Sequence, residues 1–194
     1  MYKRQFIYAS GLANGYNLSS LINDAPIAFE DENLESVWRP QNYTGEFYGP
    51  ISLRDALTKS VNIVSIKLLR ELGIENSQKY LEKFGYNKAR LPNDLSLALG
   101  SGNFSPVEMV RAYSVFASGG YLPDIHYVHK IIDRYGNVIF SHEDFLNQSK
   151  NISFNAFPWL DTLEMNIKSP YYILKPLNKK EKVIDERISY LIKD

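Results

Sequence analysis

The chain has 194 residues, with 22 Lys plus Arg against 22 Asp plus Glu, so no field of one sign favours nucleic acid or an anionic membrane surface. Cysteine is absent, which excludes disulfides and thiolate chemistry while fitting a reducing or an oxidising compartment equally. The length suits one domain or a piece of a larger one. Charge breaks the apolar stretches far short of the roughly 20 residues of a membrane span, and no secretory-type run opens the sequence.

In chain order, Gln5 to Asn14 predicts a short helix without a cap at its start, stopped by Gly15. Residues 22–50 carry Pro26, Pro40, Gly45, Gly49 and Pro50 among aromatics and acids and sustain neither period, which predicts a long ordered loop. Trp38, Tyr43, Phe47 and Tyr48 are expected to pack that loop rather than to form a ligand-facing shelf. Ser52-Leu53-Arg54-Asp55 has the form of a capping box, so a helix should start there. A second apolar face follows at Val61, Val64, Leu68 and Leu72 before Gly73, which puts Ser60-Val61-Asn62 at the joint of two helices.

A third helix is predicted from Asn76 to Phe84, ending at Gly85, and a fourth from Ser105-Pro106 to Gly119-Gly120, with an N-cap and a proline at the first helical position. His126 to Asp133 alternates as a strand, Arg134-Tyr135-Gly136-Asn137 supplies turn chemistry, and Val138 to Ser141 returns, giving a β-hairpin. Residues 142–178 give few signals and are expected to be loops with one short helix. Glu186 to Ile192 opens a last helical pattern.

Three histidines and an acidic cluster invite chemistry and are better read otherwise. Positions three apart on a strand face opposite ways, so His126 and His129 should not share a metal ion, with or without His142. Glu30, Asp31, Glu32 and Glu35 form a clustered acidic loop of the kind that is solvated. Gly100-Ser101-Gly102 is too short for a phosphate cradle. No metal and no cofactor is expected.

Ser-x-Asn by itself occurs by chance about once in several hundred positions, so the flanks of Ser60-Val61-Asn62 decide its worth. Trp38-Arg39-Pro40-Gln41-Asn42-Tyr43, Gly49-Pro50, Leu53-Arg54-Asp55-Ala56-Leu57 and Ser60-Val61-Asn62-Ile63-Val64-Ser65 resemble, in order and spacing, the stretch around the second motif of class A (bifunctional) penicillin-binding proteins. Ser96-Leu97-Ala98-Leu99-Gly100, Ser105-Pro106, Ala112-Tyr113 and Phe116-Ala117-Ser118-Gly119-Gly120 resemble the family's later helix. Val183-Ile184-Asp185 with Tyr190-Leu191 resembles the helix before its last motif.

The resemblance implies an α+β fold of the penicillin-binding-protein and serine β-lactamase type, here incomplete: the helical part plus one hairpin. It implies a peptidoglycan D,D-transpeptidase parent that binds stem peptides and β-lactams, is anchored in the inner membrane and works in the periplasm. Ser60 and Asn62 are the catalytic candidates: Ser60 as proton relay, Asn62 as the group that orients lysine and substrate.

The family's other two motifs, Ser-x-x-Lys and Lys-Thr-Gly, are absent from the 194 residues. Phe6-Ile7-Tyr8 resembles the continuation of the Ser-x-x-Lys helix, which puts Met1 at the nucleophile's place and Arg4 at the lysine's. Methionine has no attacking oxygen, and a guanidinium with a pKa above about 12 does not take a serine proton. Residues 1–5 look like a non-native sequencing scar ahead of a partial transpeptidase domain at 6–194, and the chain is expected to be inactive. Two rival readings are a non-catalytic muropeptide- or partner-binding protein derived from the fold and a serine β-lactamase relative.

Overall fold

The computed structural model describes residues 4–28, 38–142, 144 and 181–193. Contacts divide the chain into two units: Met1–Pro123 with Lys182–Asp194, and Asp124–Glu181.

The first unit is built on α1 (Arg4–Ala13) and α3 (Asn62–Leu72). Phe6, Ile7 and Ala9 on α1, and Val64, Ile66, Leu68 and Leu69 on α3, are all at most 1% exposed. Side chains so placed turn the two helices into one apolar interior. Gly11 lets them approach: a Cβ there would meet Leu68 Cδ1 at 3.2 Å. Phe6 lies at the centre of an aromatic cluster, with ring centroids 4.9 Å from Phe84, 5.3 Å from Tyr86, 5.0 Å from Tyr113 and 5.3 Å from Phe116.

Around this pair lie α2 (Leu53–Thr58), α4 (Ile74–Glu82) and α5 (Pro106–Ala117). The predicted capping signals are realised. Ser52 Oγ accepts from the Asp55 N–H at 3.1 Å at the start of α2. At the start of α5 Ser105 and Glu108 form a reciprocal capping box, with Pro106 at the first helical position between them. Two short 3₁₀ turns, Lys88–Arg90 and Leu95–Leu99, bridge α4 and α5.

The last helix, α6 (Glu186–Lys193), packs on α1 and α5, and its Ser189 hydroxyl donates to the Phe116 carbonyl at 2.6 Å. Gly120 makes the chain's approach to α6 possible. It has φ +99°, its carbonyl accepts from the Val183 N–H at 2.8 Å, and a Cβ there would stand 2.3 Å from the Ile184 carbonyl oxygen.

The stretch before the motif departs from the sequence reading. The stretch 22–50, expected to be all loop, begins and ends in strand: β1 (Leu21–Asp24) pairs antiparallel with β2 (Gly49–Ser52), with Leu21 opposite Ser52 and Asp24 opposite Gly49. Four-residue strands holding Asn, Asp, Gly and Pro carry no two-residue period to read, and the pairing is long-range. Within the connection, Trp38 packs on the core as expected, but Tyr43 is 90% exposed and Lys59 Nζ lies over the Tyr48 ring at 4.6 Å. The acids Glu30, Asp31, Glu32 and Glu35 lie outside the described residues.

A short strand, β3 (Tyr121–Leu122), ends the first unit's run. The second unit holds the predicted hairpin, β4 (Lys130–Ile132) against β5 (Val138–Ser141), with a register shift between Ile131 and Ile132. Asp133 Oδ1 accepts from the N–H groups of Tyr135 and Asn137, both at 2.8 Å, and closes the turn. The strand is shorter than expected, because His126 to His129 is irregular rather than extended in the ladder. The stretch 145–178, expected to be loops with one short helix, lies outside the described residues.

Candidate active site

Ser60-Val61-Asn62 sits where the sequence puts it, between α2 and α3, and the local backbone explains how. The Ser60 N–H donates to the Leu57 carbonyl at 3.0 Å and the Val61 N–H to the Ala56 carbonyl at 2.9 Å. These are the two bonds of a Schellman motif, whose C′ residue adopts the left-handed conformation and is usually glycine. Here that residue is Ser60, at φ +59°, a left-handed non-glycine position. A serine in this region costs on the order of 1 kcal/mol, a strain that cores tolerate where a side chain is needed. The kink turns the chain so that Ser60 and Asn62 are both half-buried while Val61 between them is 2% exposed.

Helix α3 then starts without a cap of its own. Its N-cap is Val61, whose side chain offers no acceptor. Asn42 fills the gap from twenty residues upstream: its Oδ1 accepts from the Asn62 N–H at 3.0 Å and the Ile63 N–H at 3.2 Å. Asn42 Nδ2 donates to both oxygens of Asp24, at 3.0 and 2.9 Å, and to the Glu46 carbonyl at 2.9 Å. Asp24, at the end of β1, is fully buried and also accepts from the Tyr48 N–H at 2.9 Å. A buried carboxylate is tolerable when its lone pairs are filled in this way.

The Asn62 side chain is held from two sides. Its Nδ2 donates to the Gln41 carbonyl at 2.7 Å, and its Oδ1 accepts from the Arg4 guanidinium. Arg4 also donates to the Ser60 carbonyl. Arg4 is 5% exposed, and burial pulls its pKa below the ordinary guanidinium value, although a guanidinium remains charged at any physiological pH. One turn on, the Tyr8 hydroxyl lies 3.4 Å from Ser65 Oγ, which donates to the Val61 carbonyl at 2.9 Å. Burial is the main cause that pushes the Tyr8 phenol up to about 12, against the smaller opposing effect of the Ser65 hydrogen bond.

The structure thus brings together Ser60, Asn62 and Arg4, the residue standing at the lysine's place in the resemblance. Met1 lies outside the described residues. Sequence reasoning gave no site role to Asn42 or Asp24. Asn42 lies inside the quoted stretch Trp38 to Tyr43, but no local pattern links it to Asp24 or to the start of α3.

The histidines do gather, contrary to the strand argument. His126 and His142 stack with ring centroids 3.8 Å apart, His129 lies 5.7 Å from His126, and His142 Nε2 is 3.8 Å from Asp124 Oδ2. Stacked rings direct their nitrogens in parallel planes rather than at one point, and among the described residues no group of three or more potential ligands is arranged to hold a metal ion.

Known proteins share this fold. A family profile for the penicillin binding protein transpeptidase domain matches residues 5–168. The chain is 49% identical over 137 residues to penicillin-binding protein 1A of Pseudomonas aeruginosa and 39% identical over 140 residues to that of Vibrio cholerae. These alignments take in 71% and 72% of this chain but only 17% of each relative. The crystal structure of penicillin-binding protein 1A from Haemophilus influenzae superposes with a TM-score of 0.68 at 36% identity, covering 71% of this chain and 20% of that one. Penicillin-binding protein A from Mycobacterium tuberculosis, solved as a penicillin G acyl-enzyme complex, has the same fold at 13% identity, with a TM-score of 0.65 over 96% of this chain and 40% of its own. By the matched profile, the identity to these relatives and the shared fold, the chain belongs to the penicillin-binding-protein transpeptidase domain family.

Proposed function

We propose that this chain is the second-motif portion of a peptidoglycan D,D-transpeptidase of class A type. The observation that carries the reading is the placement of Ser60 and Asn62, both half-buried at the kinked joint of α2 and α3, in a chain that the transpeptidase profile matches over residues 5–168. Arg4, which stands at the place of the first motif's lysine in the resemblance, donates to both the Ser60 carbonyl and Asn62 Oδ1.

In such a site a serine at position 1 would attack the carbonyl of a terminal D-Ala-D-Ala, forming the acyl-enzyme ester and releasing D-alanine. The amine of a second stem peptide would then attack the ester and free the serine. A lysine at position 4, held by Asn62 Oδ1, would take the serine's proton. Ser60 would pass a proton to the leaving amine through its hydroxyl, which can accept one and donate another. Asn62 would keep lysine and substrate backbone in register.

The 194 residues hold neither a Ser-x-x-Lys nor a Lys-Thr-Gly sequence. Arginine at position 4 can donate to Asn62 but cannot act as base. The reading therefore predicts that this chain does not turn over. Among the described residues no helix is long and apolar enough to cross a membrane. The inner-membrane anchor, the periplasmic site, and the stem-peptide and β-lactam ligands belong to the longer enzyme in this reading, as does the absence of nucleic-acid partners.

A labelled penicillin tests it in two arms. The chain itself should form no covalent adduct. Its residues 6–142, placed in Pseudomonas aeruginosa penicillin-binding protein 1A in place of the matching stretch, should restore a serine- and lysine-containing site that labels. A stoichiometric adduct on the chain alone, or an unlabelled folded chimera, would overturn the reading.

A further inference from the structure

Resting on the transpeptidase reading, we infer that Asp24 and Asn42 are a positioning pair that sets the orientation of the second motif, acting through α3 rather than on substrate. Asn42 reaches the motif through backbone N–H groups, and Asp24 reaches it through Asn42. Both lie upstream of the motif, in and after β1.

The start of α3 carries an unmet demand. The first N–H groups of a helix have no partner within it, and a residue such as Val61 cannot supply one. Asn42 Oδ1 meets two of them at once, at 3.0 and 3.2 Å. An asparagine side chain could offer either its oxygen or its nitrogen to α3, and only the oxygen is useful there. Asp24 removes the choice. Its carboxylate is acceptor-only, and both oxygens face Asn42 Nδ2, so the amide must present its nitrogen to Asp24 and its oxygen to the helix. The Glu46 carbonyl, 2.9 Å from the same nitrogen, enforces the same direction.

The next residue back completes the device. The Gln41 carbonyl accepts from Asn62 Nδ2 at 2.7 Å, which leaves Asn62 Oδ1 as the atom turned toward the cation at position 4. One loop thus fixes the backbone of Asn62 through Asn42 and its side chain through Gln41. A buried charge that serves packing alone would be better replaced by an apolar side chain. Asp24 is fully buried with its oxygens filled by Asn42 and the Tyr48 N–H, which is what a fixed reference for direction needs.

The first test uses the full chain and amide hydrogen exchange. In Asn42→Ala the amides of Asn62 and Ile63 should exchange at least roughly tenfold faster, the scale of one lost hydrogen bond, while amides of the last turns of α3 keep their protection. Equal exchange at those two amides would overturn the geometry.

The second test uses the Pseudomonas chimera and separates the acylation rate constant from the fraction of protein that labels at completion. Asn42→Ala should slow acylation by about 10- to 100-fold, the scale of a misplaced reacting group, with the labelled fraction unchanged. Asp24→Asn should also slow it. The exchanged pair, Asp24→Asn with Asn42→Asp, should not recover the rate, because a carboxylate at position 42 would set an acceptor against the Glu46 carbonyl, which now takes a hydrogen bond from Asn42 Nδ2 at 2.9 Å. Unchanged acylation rates in Asn42→Ala, or rates that fall only as the labelled fraction falls, would reduce the pair to a structural role and overturn the inference. A parent chimera that folds without labelling would instead remove the transpeptidase reading on which the catalytic part depends, while the exchange result on the full chain would still stand or fall by itself.

Discussion

The surroundings of the second motif and the β4–β5 hairpin are held by different physics. Val61, Ile63, Val64 and Ile66 are between 0 and 2% exposed, whereas Ile131, Ile132, Tyr135, Val138 and Ile139 are between 45 and 74% exposed. Around the motif, direction comes from partners far along the chain: Arg4 reaches Ser60 and Asn62 across 56 and 58 residues. In the hairpin it comes from Asp133, which binds neighbours two and four residues away. Burial lets a protein hold a strained serine and an internal carboxylate in fixed geometry. A turn closed by its own side chains gives shape without a core to enforce it.

Substitutions can break this contrast, and the largest effect is expected at the centre of the aromatic cluster. Phe6→Ala should cost about 3–5 kcal/mol, because it opens a cavity among Phe84, Tyr86, Tyr113 and Phe116. Denaturant titration checks it, and a loss under about 1 kcal/mol would mean that the ring is not packed as described.

Alkaline pH should come next. The Tyr8 phenol is raised to about 12, above its unfolded value near 10. Stability tied to its neutral form is complete below pH 10 and falls as pH rises from 10 to 12, since only the unfolded chain gives up the proton there. Melting temperature across that range should fall less steeply in Tyr8→Phe. Parallel curves for the two proteins would contradict the burial of this hydroxyl.

Smaller changes sharpen the comparison. Ser105→Ala removes a capping box and should cost about 1 kcal/mol by thermal or chemical melting. Ser60→Gly should do the opposite, raising stability by up to about 1 kcal/mol through relief of the left-handed strain. A destabilised Ser60→Gly would show that the serine side chain contributes more than its backbone costs. In the hairpin, Ile139→Lys should shift stability by less than about 0.5 kcal/mol. It should, however, lower concentration-dependent light scattering, because it puts a charge on an exposed apolar strand. Scattering unaffected by the lysine would separate that surface from self-association.

How much of this was legible follows the reach of each interaction. Helix α5 could be read from Ser105 and Pro106, and the hairpin turn from Arg134 to Asn137, because caps and turns are made by residues a few positions apart. The β1–β2 ladder could not be read, since four-residue strands with Gly49 and Pro50 in one of them carry no period. His126 to His129 misled in the other direction: alternation suggested a strand whose opposite faces would keep the rings apart, and an irregular backbone stacks His126 on His142 instead. Ser60 and Asn62 were found through the resemblance of their flanks, and Asn42 was in view without its role, because nothing local reveals a partner 18 or 20 residues away.

By itself, then, the sequence determined the joint between α2 and α3, the capped helices, the hairpin turn and, through the resemblance of its motifs, the family. Periodicity, capping and turn chemistry act within a few residues, and motif order survives as text. Only the tertiary structure decided that Ser60 takes a left-handed kink, that Arg4 reaches Asn62, and that Asp24 orients Asn42 beneath the motif. These depend on which distant groups meet in a buried space, where each polar atom must find a partner and geometry selects it.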